Sequence, residues 1–365
     1  MTPPEMQPDP LVPNGFRSER EAYRVVQWAT GTIGRRALRG IIEHPGLRLV
    51  GVHVYAQDKI GRDAGELCGL QGAGATGVTA TATLDEIVAL GADCVLYMPR
   101  IPDIDALCRL LSAGANVITT CGQFHHPPSM DRDLRARIEA ACAAGGTSIH
   151  STGSSPGFIS EAMPLVVLSL QRQLRSLTID EYADMSRRDS PELMFDLMGF
   201  GRPPAPFEEF RADYLRSSFG PSLQLLADAV RLPLDSVRAS GELATTAKTV
   251  RIAAGTLEAG TVAAQRITVA GIRDGRPLLQ FRATWYCARD LEPDWDVAAT
   301  GWHVVVDGDA PLDIAMRMPV PLDRMAEVSP AYTANRAVNL VPAVCAAAPG
   351  IRSTIDLPQV PAALG

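Results

Sequence analysis

The residues best suited to chemistry lie in turns that follow apolar runs. The first turn reads Ala29-Thr30-Gly31-Thr32-Ile33-Gly34, between a β-rich run and a helical pattern. Glycine at 31 leaves room for a pyrophosphate against the backbone, and glycine at 34 lets the helix lie close on the strand. The unpaired N–H groups of the helix start would face the phosphates, with the positive end of the helix dipole behind them. Gly31, Thr32, Ile33, Gly34 and Arg35 are thus candidate cofactor-binding residues, in a dinucleotide fingerprint with alanine at its first glycine position. The alternative is a plain structural turn.

A second strand-like run ends Val52-His53-Val54-Tyr55-Ala56-Gln57, with no acid before Asp58 to hold ribose hydroxyls. Arg35, Arg36, Lys59 and Arg62 lie nearby in sequence, and guanidinium groups attract a 2′-phosphate. NADP(H) is therefore expected in preference to NAD(H), with Tyr55 beside it. The alternative leaves those cations solvated and lets Asp58 reach the ribose.

Three more turns fall where the carboxyl ends of parallel strands should be, the edge at which such sheets bind ligands. They are Met98-Pro99-Arg100, the stretch from Cys121 through Gly122, Gln123, His125 and His126 to Pro127, and the stretch from Ser151 to Phe158. Met98, Pro99, Arg100, Cys121 and Gly122 are expected against the nicotinamide. Candidates to handle a proton are Gln123 (by hydrogen bonding only), His125 or His126, and Glu161 on the first turn of a following helix. Glu161 could instead serve the helix dipole, and the two histidines could simply pack against prolines. Glu181, Tyr182 and Asp184 end a later strand and either face the cleft or form an acidic surface edge. His150 reads as a core residue and Cys121 as a small buried thiol. Asn335 either contacts the carboxamide or caps a helix.

The elements that must hold these turns alternate. Strands are expected at 23–29, 47–55, 93–98, 116–119 and 147–150, with helices at 33–43, 84–90, 104–113 and 130–144. Such alternation predicts parallel βαβ units. After residue 165 come longer polar-alternating runs at 177–182, 246–252, 260–267, 278–287 and 301–306, which predict a largely antiparallel sheet. A Phe-, Met- and Pro-rich helical stretch spans roughly 190–230, and helix returns at 332–347. The reading is α/β: a flexible proline-rich tail at 1–21, and a Rossmann-type parallel-sheet domain at 22–165 joined by a C-terminal helix at 330–365. A C-terminal α+β domain would fill 166–329.

Composition excludes other classes. The 365 residues carry 34 Lys plus Arg against 41 Asp plus Glu, a net charge of −7, without the basic excess of a nucleic-acid binder. The 7 cysteines form no CxxC pair and no metal-spaced cluster, which reads as reduced thiols in a cytoplasmic protein with no metal site. No apolar run spans a bilayer, so no membrane is expected. There is no P-loop.

Taken with GTVAAQR at 260–266 and TANRAVNLVPAVCAAAPGI at 333–351, the turns ATGTIG, TTCGQFHHP and STGSSPGF resemble the 2,4-diaminopentanoate dehydrogenase and native amine dehydrogenase family. The N-terminal domain of that family is similar to dihydrodipicolinate reductase. The resemblance implies a Rossmann domain, a dimerising C-terminal α+β domain, and NAD(P)H-dependent conversion of a small or medium ketone plus ammonia to an amine. Amine-forming members carry an acidic pair after the cysteine, where this chain reads Gly122-Gln123; glutamine cannot ionise. An NADP-dependent carbonyl, imine or ene reductase is the alternative within the class. A non-catalytic nicotinamide-nucleotide sensor is the alternative outside it.

Overall fold

The computed structural model describes residues 22–70 and 76–363; the tail expected at 1–21 lies outside the described residues. Two seven-stranded sheets organise the chain. The first runs, edge to edge, Gly350–Arg352, Ser148–Ser151, Asn116–Thr119, Cys94–Tyr97, Tyr23–Trp28, Leu47–His53 and Ala80–Thr81. All its pairings are parallel. Its strand order reverses beside Tyr23–Trp28, which pairs with both Leu47–His53 and Cys94–Tyr97. A crevice at such a reversal is where open α/β sheets take ligands.

Both faces of this sheet are covered, as the wholly buried Cys94–Tyr97 requires. On one face Val26, Val95 and Val117 meet Leu107, Leu110 and Ile138. On the other, Val25, Leu96 and Ile118 meet Ala37 and Ile41 of the helix Thr32–Glu43, together with Ala334, Val338 and Val341 from the chain's far end. The buried set Gly34, Ala37, Leu38 and Ile41 follows the spacing of one helical face.

The second sheet runs Leu291–Glu292, Ser236–Thr246, Val262–Arg273, Arg276–Tyr286, Leu174–Asp184, Gly301–Gly308 and Leu312–Arg317. Only the contact between Arg276–Tyr286 and Leu174–Asp184 is parallel. The helix Glu209–Ala229 lies on one face, where Leu215, Phe219, Leu223 and Leu226 bury Ile179, Val269, Phe281 and Val304. Phe219 stacks on Phe281 at 3.8 Å. No helix of the described residues is long and apolar enough to cross a membrane.

Three expectations about elements are corrected. The run at 246–252 is not one strand: Ser236–Thr246 belongs to the large sheet, whereas Val250–Ile252 pairs with Gly255–Leu257 in a separate hairpin. The Thr246 hydroxyl donates to the Lys248 carbonyl at 2.7 Å and closes the turn between them. The final helix starts earlier, at Leu322, and breaks at Leu340 into Leu322–Asn339 and Val341–Ala346; Pro330 sits inside it instead of ending it. Strands Leu312–Arg317 and Gly350–Arg352 were not anticipated.

Candidate active site

The glycine turn is built by a sharp reversal at the end of the first strand. Ala29 adopts φ 71°, and the side chain of Gln27, itself buried, donates to the Trp28 and Ala29 carbonyls at 3.1 and 2.9 Å to hold the bend. A Cβ on Gly34 would run into the Ala29 carbonyl oxygen, so this glycine sets how closely helix and strand approach. Gly31 is different. Its φ is −71°, open to any residue, and a Cβ there would meet nothing within 4 Å. Gly31 is also the N-cap of a helix start with no side-chain cap and no acid in its first turn. A bare, exposed set of amide hydrogens suits an anion.

Of the four nearby cations, two are committed elsewhere. Arg36 binds the Glu327 carbonyl at 2.9 Å, and Arg62 pairs with Glu66 at 2.5 Å. Lys59 reaches the turn itself, donating to the Thr30 carbonyl at 3.1 Å and hydroxyl at 3.2 Å, while Arg35 is exposed on the same helix start. Tyr55 is 57% exposed, and its hydroxyl accepts from the Trp28 indole at 2.9 Å. Asp58 is exposed on the short turn Gln57–Lys59.

The other turns gather at the same sheet edge. Met98 and Pro99 are buried and Arg100 is exposed; the Cys121 thiol lies 3.9 Å from the Pro99 carbonyl, and burial pushes it up from its usual range. Gly122 touches the second unit: a Cβ on it would press on Ser218 of the helix Glu209–Ala229, 3.2 Å from the carbonyl oxygen. Gln123 is partly buried. The helix backbone thus occupies the space that a side chain at 122 would need.

A cavity of about 880 Å³ opens between the sheets. Thr32, Ile33, Arg100, Ser154 and Ser155 line it from the first sheet's edge; Glu181, Tyr182, Asp184, Gln265, Trp285 and Trp302 line it from the second sheet. Leu193, Leu197, Met198 and Phe210 make one wall, and the helix Leu322–Asn339 contributes Met325 and Tyr332. Met198, Trp285 and Trp302 line the cavity, while Met194 and Phe200 are buried core. Arg187 and Arg188 stand on its lining, whereas Arg202 turns away to the Asp196 carbonyl.

Glu161 and His125 are not on that lining. Both are buried, with His125 Nδ1 2.6 Å from Glu161 Oε1 at an angle unsuited to a hydrogen bond. Ser222 donates to Glu161 at 2.6 Å, and Thr354 donates to its other oxygen. Burial raises the Glu161 carboxyl, but His125, Ser222 and Thr354 outweigh it and hold the group below its usual value. His150, also buried, contacts the Arg352 carbonyl at 2.8 Å, and desolvation pushes it down to about 4. His126 contacts Asp228 at 3.1 Å, with burial again lowering it. These groups join the first sheet's edge to the helix Glu209–Ala229 and to the C-terminal segment. They are a buried brace behind the cavity.

Asn335 is exposed on the helix Leu322–Asn339 and outside the cavity, in the helix interior and not at a cap. Its neighbour Thr333 does the work near the site, meeting the Ser154 N–H at 3.1 Å and hydroxyl at 2.8 Å. Sequence reasoning passed over Thr333. The one available signal was its place in the TANRAVN motif beside Asn335.

A model of the 2,4-diaminopentanoate dehydrogenase C-terminal domain matches residues 216–365. The chain is similar to an amine dehydrogenase of Streptomyces virginiae, 28% identical over 359 residues that cover 92% of this chain and 96% of that one. It is similar also to the 2,4-diaminopentanoate dehydrogenase of Acetoanaerobium sticklandii, 22% identical over 355 residues, 94% and 96% of the two chains. In fold it is like an amine dehydrogenase from Mycobacterium smegmatis, with a TM-score of 0.73 at 19% identity over 94% of this chain and 98% of that one. A probable dehydrogenase from Thermotoga maritima matches with a TM-score of 0.53 at 12% identity, over 91% and 92%. These likenesses bear out the motif resemblance, the Rossmann-type fold class and the reading of the chain as a dehydrogenase-type enzyme.

Proposed function

We propose that the chain is an NAD(P)H-dependent amine dehydrogenase that reductively aminates a small or medium, largely apolar ketone or aldehyde, and oxidatively deaminates the amine in reverse. One observation carries this reading: a single cavity is lined both by the start of the glycine-turn helix (Thr32, Ile33) and by carboxyl and aromatic groups of the second sheet (Glu181, Trp302). A nicotinamide held at the first edge and a substrate held against the second would share that space. The relatives' names supply the amine.

The residues present fit a dinucleotide. Gly31 would let the pyrophosphate approach the uncapped N–H groups of the helix start, and Thr32, Ile33 and Gly34 would shape the cradle. Met98, Pro99, Arg100, Cys121 and Gly122 would border the nicotinamide, which supplies a hydride when bound. Arg35 and Lys59 would face a 2′-phosphate, and no carboxylate ends the second strand, so NADP(H) is preferred. The apolar walls exclude water and orient the carbonyl carbon, so that reacting atoms approach to about 3–3.5 Å. The brace of His125 and Glu161 fixes the loop that carries Gln123. A homodimer through the second sheet, and a cytoplasmic location matching the free cysteines, complete the reading.

The test is NADPH consumption with cyclohexanone, with and without ammonia. Turnover that depends on ammonia supports amine formation. Turnover indifferent to ammonia would replace it with carbonyl reduction, and tight NADPH binding without turnover over a ketone, amine and alcohol panel would point to a sensor.

A further inference from the structure

Among the residues lining the cavity, none is a histidine, lysine or cysteine, and the carboxylates are Glu181 and Asp184. Asp184 accepts from the Ser186 N–H at 3.0 Å, a local turn bond at the strand's end. Glu181 is set deeper. From the adjacent strand the Trp302 indole donates to its Oε2 at 3.0 Å. From the first sheet's ligand edge comes Ser155, whose buried hydroxyl lies close enough to Glu181 to lower its carboxyl. Tyr332 reaches the same space from the helix Leu322–Asn339. The charged groups on the lining, Arg100, Arg187, Arg188, Arg211 and Asp184, form no ion pair with Glu181 among those the described residues make. Gln123 cannot ionise, and the helix at Ser218 fills the space beside Gly122.

We infer that Glu181 is the acid–base residue of this cavity, moving the proton between substrate nitrogen and oxygen from the second sheet, on the side away from the Gly122-Gln123 loop. The inference rests on the amine dehydrogenase reading. As ammonia adds, a C–N bond forms, the carbonyl π pair passes to oxygen, and the Glu181 carboxylate takes a proton from nitrogen. The resulting acid returns that proton to the alkoxide oxygen, giving the neutral carbinolamine; Glu181, reprotonated from solvent, then gives a second proton to the hydroxyl, which leaves as water as the C–O bond breaks and the nitrogen lone pair closes the C=N bond of the iminium. A reduced nicotinamide bound at the glycine turn would supply the hydride that the iminium carbon accepts, the substrate being reduced and the nicotinamide oxidised. Burial raises the Glu181 carboxyl, against the lowering pulls of Trp302 and Ser155, which favours a group able to hold and return a proton.

Glu181→Gln keeps an oxygen for the Trp302 indole and removes the proton. Three quantities are read on wild type, Glu181→Gln and Glu181→Asp: NADPH dissociation constant, NADPH consumption with cyclohexanone and ammonium, and Trp302 fluorescence against pH, isolated by subtracting Trp302→Phe. The expected result is turnover lower by about 10²–10⁴-fold in Glu181→Gln, with NADPH affinity within twofold and partial recovery in Glu181→Asp. The wild-type fluorescence should show a titration above the ordinary carboxylate range that Glu181→Gln lacks. Wild-type turnover matched by Glu181→Gln, or a fluorescence titration that persists in it, would overturn the role of Glu181 and leave the amine reading standing. A wild type that binds NADPH yet turns over no ketone or amine would overturn both. A Glu181→Gln protein that does not fold passes the decision to Glu181→Asp, whose unchanged rate and unchanged titration would overturn the role.

Discussion

Glu161, His125 and His150 are the most deeply buried ionisable residues at the sheet edge, and their chemistry sets how the protein responds to acid. His150 is held neutral, with its pKa depressed from 6.5 to about 4. The unfolded chain therefore binds a proton that the folded chain does not, and stability falls as pH drops from 6.5 towards about 4. The full loss is about 3 kcal/mol at 1.36 kcal/mol per unit. Glu161 is depressed also, so its contribution is present above the ordinary carboxyl range and is lost below it. Urea unfolding at neutral and acid pH should show this slope, and His150→Asn should flatten its upper part. Glu161→Ala leaves His125 buried without its partner and should cost about 3–5 kcal/mol of stability by the same measurement. Glu161 was legible from sequence as a residue near a helix start, but its direction was not. Gly157, at φ 120° and placed so that an added Cβ would come within 3.3 Å of Thr152, turns the chain so that the carboxyl points into the brace. No pattern of residue types encodes that turn. Arg35 carries a separate prediction: Arg35→Ala should weaken NADPH binding about tenfold or more, the value of one charged hydrogen bond, with NADH nearly unchanged in fluorescence titration.

At the scale of elements, the glycine turn shows why local pattern sufficed for the inner strands of the first sheet and failed at Ser236–Thr246 in the second. Strand, turn and helix are contiguous there, and Gly34 is needed by packing that the sequence interval itself dictates. Gly34→Ala should force the helix off the strand, lower stability by about 1–3 kcal/mol as overpacking does, and reduce cofactor affinity with it. Thermal melts and NADPH titration together check this. Ser236–Thr246 was illegible because Ser, Arg, Ala, Gly and Glu carry little β preference. It is a strand because Val262–Arg273 pairs with it along almost its whole length. Gly241 sits beneath the Phe207 ring, where any Cβ would collide, a contact set by distant residues. The Gly122 contact with Ser218 is likewise invisible locally. Gly122→Glu should destabilise the docking of the helix Glu209–Ala229, and its activity should not exceed that of wild type.

Across the whole molecule, the chain's end completes its beginning. The helices Leu322–Asn339 and Val341–Ala346 cover one face of the first sheet, and Gly350–Arg352 becomes its edge strand. The sequence indicated a returning helix, but proline at 321 and 330 obscured where it starts. Deleting 320–365 would expose Ala37, Ile41 and Ile118 and remove Thr333 and Thr354 from the site. Such a protein should lose cooperative melting. The proposed function depends on a nucleotide lying at the glycine turn, and Gly31→Val tests this with little structural side effect. The backbone there suits any residue, and a Cβ meets no protein atom within 4 Å. Calorimetric titration with NADPH should find saturable binding to wild type and binding weaker by about 100-fold or more to Gly31→Val, with unchanged melting, because the added carbons displace a phosphate from the uncapped amides. Equal affinity in the two proteins, or no binding by wild type at millimolar nucleotide, would contradict the account.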